Sequence, residues 1–193
     1  MKSIVVFCVS SEGYNENYRE TAWNLGVLLA ERQVRIVYGG AKIGLMGALA
    51  DGALAHNGIV VGVIPGFLKT TEVVHEGLTQ LITVDTMHER KLKMHEMSDG
   101  VIAMAGGWGT MEELFETLTW GQLGLHQKPV GILNINGYYD ALKALCDTMV
   151  QDGFLQECVN HSLIFSGDIA DLIDQMDQYQ PYETPKLITR QTT

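Results

Sequence analysis

Residues 105 to 113 read Ala105-Gly106-Gly107-Trp108-Gly109-Thr110-Met111-Glu112-Glu113. Three glycines let the backbone approach a ligand closely, and a helix starting directly after them offers unpaired N–H groups and a partial positive charge. Together these suit a phosphate. Thr110 fits either a helix cap or a donor to a phosphate oxygen. On a helix, Glu113 lies three residues past Thr110 and shares the loop's face, while Glu112 is turned by roughly 100°. A carboxylate there looks toward the sugar of a phosphorylated ligand. The competing reading is a tight strand-to-helix turn, with acids near a helix start for dipole reasons alone. The segment is neither a Walker motif, which needs Gly-Lys-Ser/Thr, nor the dinucleotide fingerprint, which needs glycine where Glu112 stands.

Three further segments carry polar or glycine-rich chemistry. Gly39-Gly40-Ala41-Lys42-Ile43-Gly44 is a second glycine turn between a strand and a helix, lining the same crevice or serving only as a turn. Ser10 and Ser11 follow the first strand, where they suit phosphate or ribose donation and equally helix capping. Met87-His88-Glu89-Arg90-Lys91 opens a charged helix, but the zinc-protease pattern H-E-x-x-H fails because position 92 is leucine,. His88 and His95 share a helical face without further ligands, and no metal is expected. Arg90 is the cation of interest: a guanidinium binds carboxylate or phosphate in bidentate fashion and keeps its charge, unless it merely lies on a solvated face.

These segments are spaced by alternating strand and helix patterns. Apolar, β-branched runs predict strands over 4–9, 34–38, 59–64, 81–84, 100–104, 130–135 and 163–165,. Helical spacing covers 14–33, 45–56, 87–97, 111–123, 138–151 and 169–179, with 67–80 a long loop or short helix,. Such alternation implies right-handed crossovers and a doubly wound, mainly parallel sheet: an α/β, Rossmann-like single domain over 1–180, with a polar, poorly ordered tail over 181–193. In that architecture ligands sit outside the carboxyl ends of the strands, where the glycine loops fall.

Composition narrows the partners. The 193 residues carry a formal net charge of −10, which disfavours a nucleic-acid polymer while allowing a small anion at a local positive site,. No apolar run is long enough to span a membrane and no signal peptide is evident. Cys8, Cys146 and Cys158 form no C-x-x-C pair and suit buried reduced thiols, so a cytoplasmic location is expected,.

The motifs at 87–91 and 106–113, with Tyr38-Gly39-Gly40 and Thr119-Trp120-Gly121-Gln122-Leu123-Gly124, resemble the Lonely Guy (LOG) family of cytokinin riboside 5′-monophosphate phosphoribohydrolases, often labelled lysine decarboxylases. The resemblance runs from Ile4 to about Asp177. The family loop reads P-G-G-x-G-T-x-x-E, and Ala105 replaces its proline here. The resemblance implies Arg90 and Glu113 as a catalytic pair. As substrate contacts it implies Lys91, Gly106, Gly107, Trp108, Gly109, Thr110, Met111, Glu112, Glu72 and Thr119. Ser10, Gly39 and Gly40 join these from their place in the crevice. It also implies a homodimer without metal or organic cofactor, acting on a nucleoside monophosphate.

The expected chemistry is hydrolysis of the bond from ribose C1′ to a purine nitrogen, in which positive charge builds on the sugar. Glu113 is expected to stabilise that charge and activate water, or in the alternative to attack as a nucleophile, with Arg90 orienting it and keeping it ionised. The rival class is a non-catalytic nucleotide binder or carrier on the same fold, in which Glu113 only caps a helix.

Overall fold

The structure, a computed structural model, describes residues 1–70 and 74–182. β1 (Ser3–Phe7) is buried at all five positions, as a strand covered on both faces must be,. With β2 (Arg35–Tyr38), β3 (Val60–Pro65), β4 (Gln80–Val84), β5 (Gly100–Ala103), β6 (Val130–Leu133) and β7 (Leu163–Ser166) it forms one sheet. The order is β4-β3-β2-β1-β5-β6-β7 and every neighbouring pair is parallel. The doubly wound expectation is therefore met. Successive strands are added toward one edge from β1 to β4 and toward the other from β5 to β7, and this switch of order between β1 and β5 opens a crevice at their carboxyl ends,.

Alternation along the strands feeds two cores. Ile4, Val6, Ile36, Tyr38 and Ile102 pack with Leu25 of α1 (Glu16–Glu31), Leu49 of α2 (Gly44–Ala55) and Ile173 of α7 (Ile169–Gln178). Val5, Phe7, Val37 and Val101 point the other way. They meet Met94 of α3 (Met87–Glu96), Leu114 of α4 (Trp108–Gln122) and Tyr139, the N-cap of α5 (Asp140–Gln151).

α1 crosses α2 almost backbone to backbone. A Cβ on Gly26 would stand 2.2 Å from the Leu49 carbonyl oxygen, and one on Gly52 would stand 2.3 Å from that of Trp23. Since neither obstacle is a flexible side chain, Gly26→Ala must part the helices. It is expected to cost about 1–3 kcal/mol in urea denaturation; an unchanged midpoint would show that the crossing yields freely.

The differences from the sequence expectation are local. β1 stops at Phe7, two residues before the end of its apolar run, because the chain already turns toward the crevice. α4 begins at Trp108, three residues before the expected 111, since a glycine-rich start hides a helix boundary,. The short α6 (Glu157–His161) lies outside the predicted elements, and the expected loop or short helix at 67–80 opens in a 3₁₀ turn, Gly66–Thr70, and ends at β4, which begins at Gln80. Glu72 and the tail from 183 onward lie outside the described residues. No described helix is long and apolar enough to cross a membrane.

Candidate active site

β5 delivers the glycine loop to the crevice. The first α4 ladder bond is Met111 N–H to Gly107 O at 3.1 Å, and no side chain caps the helix. The amides of Gly107, Trp108, Gly109 and Thr110 thus precede the ladder, a row of donors backed by the helix's positive end. The glycines differ in their reasons. A Cβ on Gly106 would meet Thr110 Oγ1 at 2.1 Å, so that glycine is required by the protein's own packing. Around Gly107 and Gly109 nothing lies within 4 Å of a Cβ, so their bareness serves no intrachain contact. Thr110 is 3% exposed and props the loop from inside, whereas Trp108 is 90% exposed at its rim.

Because α4 starts at Trp108, Glu112 and Glu113 sit in its second turn and no acid lies in the first. Glu113 is beyond the orphan amides and does not cap the helix, which removes the dipole explanation for it. Its carboxyl is pushed up to about 7 by burial, with Glu112 and Glu116 adding to the rise and Arg90 and Lys91 opposing it. The expectation that Arg90 keeps Glu113 ionised is corrected here: desolvation outweighs the guanidinium's pull.

Arg90, 6% exposed, turns two of its nitrogens to backbone and Nη1 to the Met87 sulfur at 4.0 Å. Nε bonds the Val63 carbonyl at 3.1 Å and Nη2 the Gly39 carbonyl at 3.3 Å. Its charge reaches Glu113 through space while its planar fork is held by the ends of β2 and β3. Gly39 is glycine because a Cβ there would stand 2.1 Å from Arg90 Nη2. Gly40 turns the chain at φ +85°, outside the usual range of L side chains,. The second glycine turn is thus tied to the site through Arg90.

The charged helix has a division of labour. Glu89 closes a capping box with Thr86: Glu89 N–H donates to Thr86 Oγ1 at 3.1 Å and Thr86 N–H to Glu89 Oε2 at 3.3 Å,. Lys91 reaches α4 instead, bonding Glu112 at 2.5 Å and Glu116 at 3.0 Å. Burial lowers the Lys91 pKa, but these carboxylates outweigh it and the pKa is raised. Within the chain, Lys91 and Glu112 neutralise each other, and α3 is fastened beside α4.

Ser10 is half-buried on the other lip, where Gly44 passes so close that a Cβ would meet the Ser10 carbonyl carbon at 2.3 Å. Met111 lies with Gly106, Gly107, Trp108, Tyr138, Tyr139 and Leu142 around a cleft of about 490 Å³ on the α5 side of the loop. Thr119 is not brought to this group. It lies about three turns along α4, exposed, its hydroxyl bonded to the Phe115 carbonyl at 2.7 Å. Three neighbours were missed in the sequence. Cys8 is buried at the end of β1, its thiol pushed up by burial and by Glu113 and pulled down by Arg90. Tyr138 and Tyr139 bond the loop backbone, and only the turn signal Asn136-Gly137 marks the place,.

A family model described as "Possible lysine decarboxylase" matches residues 46–176. A probable cytokinin riboside 5′-monophosphate phosphoribohydrolase of Oryza sativa subsp. japonica is 43% identical over 180 residues, covering 93% of this chain and 79% of that protein. A cytokinin riboside 5′-monophosphate phosphoribohydrolase of Arabidopsis thaliana is 42% identical, covering 93% and 83%. Among solved structures, the molybdenum cofactor binding protein of Rippkaea orientalis superposes with TM-score 0.69 at 23% identity, covering 91% of this chain and 95% of that one. A structural-genomics target superposes with TM-score 0.70 at 18% identity, covering 93% and 100%. At such identities these two share the fold alone. The sequence matches go further: the chain belongs to the LOG family, the family to which the decarboxylase-labelled model corresponds.

Proposed function

We propose that the protein hydrolyses the N-glycosidic bond of a purine nucleoside 5′-monophosphate, AMP or an N6-substituted analogue, releasing the free base and ribose 5-phosphate. The observation that carries the reading is Glu113: a carboxyl whose pKa of about 7 sits in the second turn behind a row of unladdered amides at the sheet's switch point. The names of the relatives support the same reaction. A carrier needs no such carboxyl, and nothing else in the site favours that reading.

In this reaction the loop amides grip the 5′-phosphate and fix C1′ near Glu113. Ionised, Glu113 stabilises the positive charge growing on the sugar and takes a proton from the attacking water. The purine leaves with the bonding electron pair and picks up a proton. Arg90 and Glu113 are the proposed catalytic pair. Ser10, Gly39, Gly40, Glu72, Lys91, Glu112 and the loop complete the proposed substrate contacts, while Thr119, which the chain holds apart from this group, is left out of them. Incubation with AMP and with adenosine, followed by chromatography of base and sugar phosphate, tests this. Release from AMP far exceeding that from adenosine is expected; no release from any purine monophosphate would end the reading.

Gly109→Ala separates the loop's two duties. The added methyl meets no protein atom, and alanine raises helix propensity, so the fold should gain up to about 1 kcal/mol,. The same methyl enters the space given to the phosphate, so KM for AMP should rise roughly tenfold, a loss of about 1.4 kcal/mol. A variant with unchanged KM would show the space to be empty in the complex.

The assembly proposed is a homodimer in the cytoplasm. Phe115, Leu125, Leu145 and Phe154 are 39%, 41%, 48% and 83% exposed, and Phe115 and Phe154 border an apolar cleft of about 220 Å³ between α4, α5 and α6. Sedimentation equilibrium distinguishes a dimer from a monomer. Free thiols at Cys8, Cys146 and the exposed Cys158 suit a reducing compartment, although the expectation that all three are buried holds for the first two only,.

A further inference from the structure

We propose that Tyr138 is a positioning residue which locks the peptide plane between Gly106 and Gly107 so that the Gly107 N–H faces the phosphate. The inference rests on the loop being a phosphate cradle. Tyr138 Oη donates to the Gly106 carbonyl at 2.6 Å from outside the loop. No peptide bond in the described chain is cis. In a trans peptide the carbonyl and the following N–H point in opposite directions, so a carbonyl held toward α5 aims the next N–H away from α5.

The plane flanked by two glycines is the one that turns most easily, because no Cβ resists it. An anion site built there needs an external restraint. Next door, Tyr139 Oη donates to the Met104 carbonyl at 2.6 Å and fixes the Met104–Ala105 plane in the same way. Two adjacent hydroxyls thus hold alternate planes of one loop.

The chain invests in presenting them. Asn136 and Gly137 adopt φ of +55° and +69°, a left-handed pair that turns the chain sharply after β6. Asn134 Oδ1 accepts from Tyr139 N–H at 2.7 Å, and Asn17 Nδ2 donates to Asn136 Oδ1 at 3.1 Å. The Tyr138 ring rests edge-on against Tyr18 and Tyr139, with centroids 5.9 and 5.0 Å away. Tyr139 is 1% exposed and belongs to the core, but Tyr138 is 43% exposed. Its ring is already anchored by its neighbours, and water can satisfy a carbonyl at such an open position. The fold therefore does not need the hydroxyl, whereas the aim of the amide does.

The test is Tyr138→Phe, which keeps the ring and deletes the hydroxyl. Wild type and variant are titrated calorimetrically with ribose 5-phosphate and with adenosine, assayed with AMP, and melted. A misaimed charged hydrogen bond should raise the Kd for ribose 5-phosphate and the KM for AMP about tenfold, with kcat reduced less than about threefold. Adenosine affinity should be unchanged and the melting temperature should fall by less than about 3 °C. Equal ribose 5-phosphate affinity in the two proteins overturns the lock, as does a parallel loss for adenosine. A wild type that does not bind ribose 5-phosphate overturns the cradle itself, and the lock with it. That outcome shows in the wild type alone and is distinct from the first two.

Discussion

Glu113→Gln is expected to lower kcat for base release from AMP by roughly a thousandfold while AMP still binds, because the amide keeps the volume but neither takes a proton nor carries charge. The wild type should show an acid limb in kcat/KM, rising as pH increases through about 7, where the carboxyl ionises. The same residue should cost stability. Its folded pKa lies above its ordinary 4.5, so folding takes up a proton between those values and stability falls as pH rises through that window,. Below pH 4.5 the burial is free of this cost; at pH 8 the cost is complete, about 3 kcal/mol from a shift of this size,. The neutral glutamine escapes it. Hence Glu113→Gln should unfold at higher urea than wild type at pH 8 and at equal urea near pH 4. A variant that is active, or one that gains nothing at pH 8, would remove Glu113 from the role given to it.

That carboxyl could be located in the sequence but its state could not. Glycine spacing after an apolar strand is a local signal, and so is the strand and helix alternation that sets the parallel sheet; both were legible. A raised pKa depends on which groups from other elements surround the carboxyl, and sequence gave Arg90 as a partner without its distance. Arg90 itself illustrates the limit. Its guanidinium was expected to orient Glu113, whereas its bonds go to carbonyls of residues 27 and 51 positions away, contacts that no periodicity encodes. Lys91 likewise has partners that no periodicity encodes, Glu112 and Glu116 of another helix. The α4 start was misplaced because Trp108-Gly109 carries a poor helix propensity that the packing of Leu114 and Thr117 overrides,. The capping box at Thr86 and Glu89 rests on a local pattern, Ser/Thr three residues before Glu, that lies beside the failed zinc pattern at His88 and Glu89,.

Arg90→Met is expected to damage stability and catalysis by separable routes. Methionine fills similar length without a donor, so the Val63 and Gly39 carbonyls both lose a charged partner in a buried place. At about 1.5–3 kcal/mol for each such bond, a loss of roughly 3–6 kcal/mol should appear in urea denaturation,. The electrostatic effect is different in kind. Arg90 is the strongest influence lowering the Glu113 pKa, so its removal leaves burial unopposed by the larger of two cations and moves the acid limb of kcat/KM above 7,. Arg90→Lys tells the two apart: an ammonium keeps the charge, so the limb should stay near 7, yet one compact head cannot reproduce the fork across two carbonyls, and stability should still drop,. If the limb stayed in place in Arg90→Met, the guanidinium would be a clamp on β2 and β3 and nothing more. If instead the limb moved and Arg90→Lys restored it, a residue that never touches Glu113 would be setting the pH at which Glu113 works.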